Sequence, residues 1–126
     1  MGKSQREKGK RIERLIAREL APLWPDVVRS AMQSRGADLP DLDQAPAWIE
    51  CKGGKAPPIR PALEQARRDR DASVCDLPIM AATHEDRKET LITMPVSDFV
   101  ALVLEERREA VRVALMGQGR NDGDNC

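Results

Sequence analysis

The chain has 126 residues, 21 Lys/Arg against 21 Asp/Glu, a formal net charge of +0 and only 2% aromatic residues. That length carries one domain around one core, and the few aromatics speak against a base-stacking platform for single-stranded nucleic acid. No apolar run reaches the roughly 18 residues of a membrane span, the basic N-terminus lacks the apolar stretch of a signal peptide, and three scattered cysteines with one histidine give no zinc-ligand spacing.

A first helix is expected from Ser4, where Glu7 three residues on completes a capping-box pattern. Ile12, Leu15, Ile16 and Leu20 recur at helical spacing as its buried stripe, Glu13 borders that stripe, and Pro22 and Pro25 close the helix. Val27 to about Met32 reads as a strand and Gln33 to Gly36 as a turn.

Next comes the run Gly36-Ala37-Asp38-Leu39-Pro40-Asp41-Leu42, then turn-prone Asp43-Gln44-Ala45-Pro46, then the apolar strand Trp48-Ile49-Glu50-Cys51-Lys52. Strand side chains alternate faces, so Glu50 and Lys52 point one way and Ile49 and Cys51 the other. A hairpin centred between Ala45 and Pro46 sets Asp41 opposite Glu50. Asp38 and Asp41 lie on opposite faces of an ideal strand, and the register favours Asp41; a β-bulge at Leu39-Pro40 would bring Asp38 inward instead.

Gly53 to Pro58 reads as a loop that glycine and proline keep out of regular structure, with Gly53 and Gly54 open to close backbone approach. It lacks a phosphate-loop signature, so no nucleotide cofactor is expected. Pro61 fits the first turn of a second helix running to about Asp71 and carrying Gln65. Ile79 to Ala82 and Thr90 to Met94 read as two further strands around a turn at Glu85 to Lys88, with His84 a solvated turn histidine. Ser97 is placed to cap a last helix reaching about Met116, with Phe99, Leu102, Val103, Val113 and Ala114 among its apolar residues. Its length exceeds what a small core needs, so its far end reads as a contact for a second subunit. Residues 1–116 then form the domain and residues 117–126 a disordered polar tail. Reduced thiols and a cytoplasmic location, in a bacterial or phage-infected cell, are expected.

Two acids facing each other across a ladder repel, and a divalent cation reverses that sign. Mg²⁺ takes oxygen ligands, usually one or two carboxylates with water and substrate phosphate. Asp41, Glu50 and the backbone carbonyl of Cys51 are placed to supply one face of such a shell, Glu13 is a candidate further carboxylate, and Lys52 stands where it can orient the attacking water or counter charge growing on phosphorus. Charge is distributed to match. Residues 1–35 carry nine bases against four acids, residues 36–50 four acids and no base, and residues 51–70 six bases against two acids. Such an acidic pocket between basic flanks suits a phosphate-tracking surface, with Lys8, Lys10, Arg11, Arg35 and Lys55 as candidate DNA contacts.

Glu13 on a first helix, Pro40-Asp41 on a strand, Glu50-Cys51-Lys52 on the next and Gln65 on the following helix resemble the PD-(D/E)XK nuclease superfamily. Within it, residues 6–104 look most like the small Holliday junction resolvases of archaea and phages. The resemblance implies an α/β fold with a restriction-endonuclease-like core, a central mixed β-sheet flanked by helices in the order α-β-β-β-α-β-β-α. It implies a Mg²⁺-dependent endodeoxyribonuclease in which Mn²⁺ substitutes, with catalytic residues Glu13, Asp41, Glu50, Lys52 and Gln65. The expected substrate is branched DNA, a four-way junction met in recombination and repair, cut symmetrically by a homodimer. Other readings are an endonuclease of the same superfamily acting on flap, nicked or duplex DNA, a DNA-binding protein that keeps the fold without cutting, and an interaction module with no DNA partner.

Overall fold

In the computed structural model, which describes residues 2–30 and 39–116, the central element is the strand Trp48–Gly54 (β3). Its first four residues are all buried, the mark of a strand covered on both faces. Before it come helix α1 (Lys3–Leu20) and strands β1 (Val28–Arg29) and β2 (Leu42–Asp43); after it come α2 (Ile59–Ala72), β4 (Ile79–Glu85), β5 (Thr90–Thr93) and α3 (Val96–Met116). The strands form one mixed sheet in the order β1-β2-β3-β4-β5. Only β3 and β4 are parallel, and α2 is the crossover between them, as a parallel pair requires.

Alternation of side chains gives each face its own helix. Ile49 and Cys51 of β3 and Met80 and Ala82 of β4 pack with Ile12, Ile16 and Ala17 of α1. Trp48, Ile79 and Ala81 pack with Ala62, Leu63 and Ala66 of α2. Glu50 and Lys52 share the parity of Trp48 and therefore stand on the α2 face. The protein is thus an α/β fold with a five-stranded mixed sheet between helices.

Several local expectations are corrected. α1 begins at Lys3 with Gly2 as an extended N-cap and no side-chain cap bond; Ser4 lies inside the first turn, where a cap residue cannot sit. For the same reason Ser97 does not cap α3, which starts at Val96. α2 opens two residues before Pro61, which keeps Pro61 in the first turn, where a missing N–H costs nothing. β3 continues through Gly53 and Gly54 instead of ending in a loop, because both pair with β4 at His84 and Glu85. A Cβ on Gly53 would lie 2.8 Å from Ile12 Cγ1, so this glycine admits α1 against the sheet.

His84 is a strand residue paired with Thr90, not a turn residue, and its Nδ1 lies 2.9 Å from Thr90 Oγ1. Cys51 is a free thiol but Cys75 is disulfide-bonded, so the reduced state expected of every cysteine does not hold there. Of α3, Leu102 and Glu109 are the buried residues. Asp98 anchors its start by accepting the Ile79 N–H at 2.8 Å, with Arg70 Nη1 3.6 Å from the same oxygen. The expected polar tail at 117–126 lies outside the described residues.

Candidate active site

Leu42 pairs with Ile49, so the next antiparallel step sets Asp41 beside Glu50. Two strands hold Asp41 there. Its N–H donates to the Ile49 carbonyl at 2.9 Å and its own carbonyl accepts the Ser30 N–H at 3.0 Å. The Ser30 hydroxyl donates to the Pro40 carbonyl at 2.7 Å. The ladder ends at Leu42, and the Asp41 carboxylate replaces it by accepting the Cys51 N–H at 2.7 Å. N–H and C=O of one strand residue point to the same neighbour, so the Cys51 carbonyl lies on this edge too.

Glu50 is 3% exposed. Burial, and then the charge of Asp41, push its carboxyl up to about 9, against the pull of Lys52. Lys52 Nζ stands 3.7 Å from Glu50 Oε2. Burial also raises Asp41, opposed by the Cys51 N–H, a hydrogen bond with Glu50, and the charges of Lys52 and Arg29. Both carboxyl groups are thus pushed toward holding a proton, which favours one proton shared by the pair. Buried Glu50, half-buried Asp41 against it, a carbonyl on the same edge and a lysine beside them make an oxygen-donor set suited to a hard divalent cation, which would take the place of that proton. The residues present fit such an ion at Asp41 and Glu50.

Glu13 is placed differently. Its Oε1 accepts from Arg29 Nε at 2.7 Å, and its charge reaches the site through Cys51, whose thiol is pushed up by burial first and then by Asp41, Glu13 and Glu50. Among the described residues no group of three or more His, Cys, Asp or Glu side chains is gathered to hold a metal ion. The third carboxylate therefore stands paired to Arg29, not beside the other two. Gln65 is half-buried on α2, one turn before Asp69 on the same helix face, and Asp69 acts electrostatically on Glu50.

Three contributors were not singled out from the sequence, and two of them had no signature there. Arg29 and Ser30 are single polar residues in a two-residue strand and its exit, and nothing in their spacing links them to Asp41. Asp69 had a faint one, its four-residue spacing from Gln65.

Of the candidate DNA contacts, Lys8 and Arg11 line a cleft of about 620 Å³ with Arg14, Ser4, Gln5 and Glu7. Lys8 also lies 3.6 Å from Asp86 and Lys10 3.7 Å from Glu7, while Lys55 is exposed just after β3. Arg35 and Asp38 lie outside the described residues. Among the described residues no helix is long and apolar enough to cross a membrane.

No family model matches the chain, and no curated protein or solved structure matches it either.

Proposed function

We propose that this protein is a divalent-metal-dependent endodeoxyribonuclease of the PD-(D/E)XK type with a restriction-endonuclease-like core, acting on branched DNA with the four-way junction as preferred substrate. The observation that carries this reading is the contact of half-buried Asp41 with buried Glu50 beside Lys52. The order α1-β1-β2-β3-α2-β4, with β3 parallel to β4, supports it.

In this reading Asp41 and Glu50, with the Cys51 carbonyl, would hold Mg²⁺, which would supply Lewis-acid stabilisation of a phosphoryl oxygen when bound. Lys52 keeps its ammonium beside the reacting phosphate, where it steers water and offsets the negative charge that grows on the oxygens. Arg29 sets the field at Asp41 and is itself fixed by Glu13. Asp69 acts on Glu50 from α2 and Gln65, one turn before it, assists the reaction from the same helix, while Lys8, Lys10, Arg11 and Lys55 track the DNA backbone, which makes binding fall steeply with salt.

The deciding experiment incubates the protein with four-way junction, flap, duplex and single-stranded DNA, with Mg²⁺ and with chelator. Symmetric Mg²⁺-dependent nicks on the junction support the full reading. Cutting of flap or duplex alone keeps the nuclease and moves its substrate. A second reading, a DNA-binding protein that keeps the fold without cutting, draws on the engagement of Glu13 by Arg29; junction binding without cleavage in Mg²⁺ or Mn²⁺ selects it.

A further inference from the structure

On the α2 face of the sheet, Trp48 Nε1 and Thr83 Oγ1 are buried and make no hydrogen bond among the described residues. Trp48 pairs with Ile79 at the start of β3, among the apolar side chains of α2. Thr83 is placed differently. It shares the parity of Ile79 and Ala81 and stands in register with Lys52, so hydroxyl and lysine are neighbours on one face of a parallel pair. Thr83 is 1% exposed, and a buried hydroxyl left unpaired costs the fold stability. Valine, of the same shape, would avoid that cost.

The order of the strands gives that hydroxyl a use. β3 lies between β2 and β4. Lys52 therefore has carboxylates to one side, Asp41 from β2 and Glu50 from its own strand, and the Thr83 hydroxyl to the other. It leans toward the acids, with Nζ 3.7 Å from Glu50 Oε2, and no other ion pair holds it among the described residues. At that distance the contact is an ion pair without a hydrogen bond. Once the acids are committed to a cation, the ammonium loses its acceptor and is repelled by like charge. Across the ladder Thr83 offers it an oxygen lone pair, whereas Ala81, the partner of Glu50, offers none. Asp69, whose charge reaches Glu50 from α2, is the competing acceptor.

We propose that Thr83 is a positioning residue for Lys52: its hydroxyl accepts a hydrogen bond from the ammonium when the carboxylates are engaged, and so holds that charge at a fixed place beside the reacting phosphate. The consequence for cleavage rests on the nuclease reading; the contact between lysine and threonine does not.

Thermal melting of the full chain in two backgrounds reads the contact without any cleavage. In the wild type, Thr83→Val should melt at or above its parent, because the hydroxyl has no partner to lose. In Asp41→Asn/Glu50→Ala, where Lys52 has lost both acids and the Cys51 N–H keeps an acceptor, the same change should lower the melting temperature. Asp41→Asn/Glu50→Gln takes its place if that background does not fold. A merely structural threonine gives one sign in both backgrounds, and that result overturns the proposal, leaving the lysine to Asp69 or solvent. On junction DNA with Mg²⁺, Thr83→Val should lower the cleavage rate at saturating substrate about tenfold or more, the scale of a misplaced catalytic group. Affinity in Ca²⁺ should stay unchanged, and Thr83→Ser should restore the rate. A valine variant as fast as a cutting wild type overturns the proposal. A wild type that cuts nothing removes the nuclease reading, and the melting comparison still decides for or against the contact.

Discussion

Asp41 and Glu50 are hydrogen-bonded to each other across the β2–β3 step, and burial with their mutual repulsion favours one proton shared by the pair when no cation is bound. The sign of the resulting pH dependence follows. Glu50 binds its proton up to about pH 9 in the fold but only to about pH 4.3 when unfolded. Between those values the folded state holds more protons, and stability therefore falls as pH rises. Urea unfolding of the metal-free protein should show greatest stability near pH 5 and a decline toward pH 9. Glu50→Gln should flatten that slope. Mg²⁺ should bind more tightly at the alkaline end, where it no longer competes with the shared proton, and raise the melting temperature most there. A flat profile in the wild type would remove the shared proton from the account.

On the proposed nuclease reading, Lys52 should separate cutting from binding. Lys52→Ala takes an ammonium from 3.7 Å of Glu50 without opening the core, since the side chain is partly exposed. Cleavage rate at saturating DNA should fall at least about a hundredfold, the scale of losing one charged stabiliser of the transition state, while junction affinity in Ca²⁺ stays within a few-fold. Single-turnover cleavage together with filter binding checks both. Equal losses in the two would make Lys52 a DNA contact only.

Asp41 has a structural duty besides any metal. Asp41→Asn keeps an oxygen for the Cys51 N–H now bonded at 2.7 Å, whereas Asp41→Ala leaves that amide without its acceptor, a loss of about 1–3 kcal/mol. Denaturation should rank wild type and Asn close together and Ala well below. Both variants should lose Mg²⁺-induced stabilisation. If Asn melts as low as Ala, the Cys51 bond is not what the carboxylate supports.

What the sequence made legible was what short-range periodicity encodes. The order of the eight elements and the hairpin centre between Ala45 and Pro46 follow from alternation and turn residues, and the pairing Leu42 with Ile49 has that centre. Long-range partners were not legible. That Arg29 would take Glu13, or that Asp98 would accept the Ile79 amide 19 residues away, depends on how the sheet stacks the chain. The glycines after Lys52 misled for a physical reason: glycine breaks strands on average, but Gly53 is kept in one by its ladder to β4 and by the helix above it.

Gly53 gives a test of that packing that needs no functional assumption. Its ideal Cβ falls 2.8 Å from Cγ1 and 2.9 Å from Cδ1 of Ile12, and Ile12 is itself in the core. Gly53→Ala should therefore push α1 from the sheet and cost about 1–3 kcal/mol, the range of overpacked cores. Ile12→Ala alone should also destabilise, by emptying the site. Combined, the two changes relieve each other, since the new methyl fills part of the space the isoleucine leaves. The double variant should be more stable than the sum of the single losses implies, with a coupling of about 0.5–3 kcal/mol. Strict additivity in urea unfolding would show that α1 is not seated on Gly53.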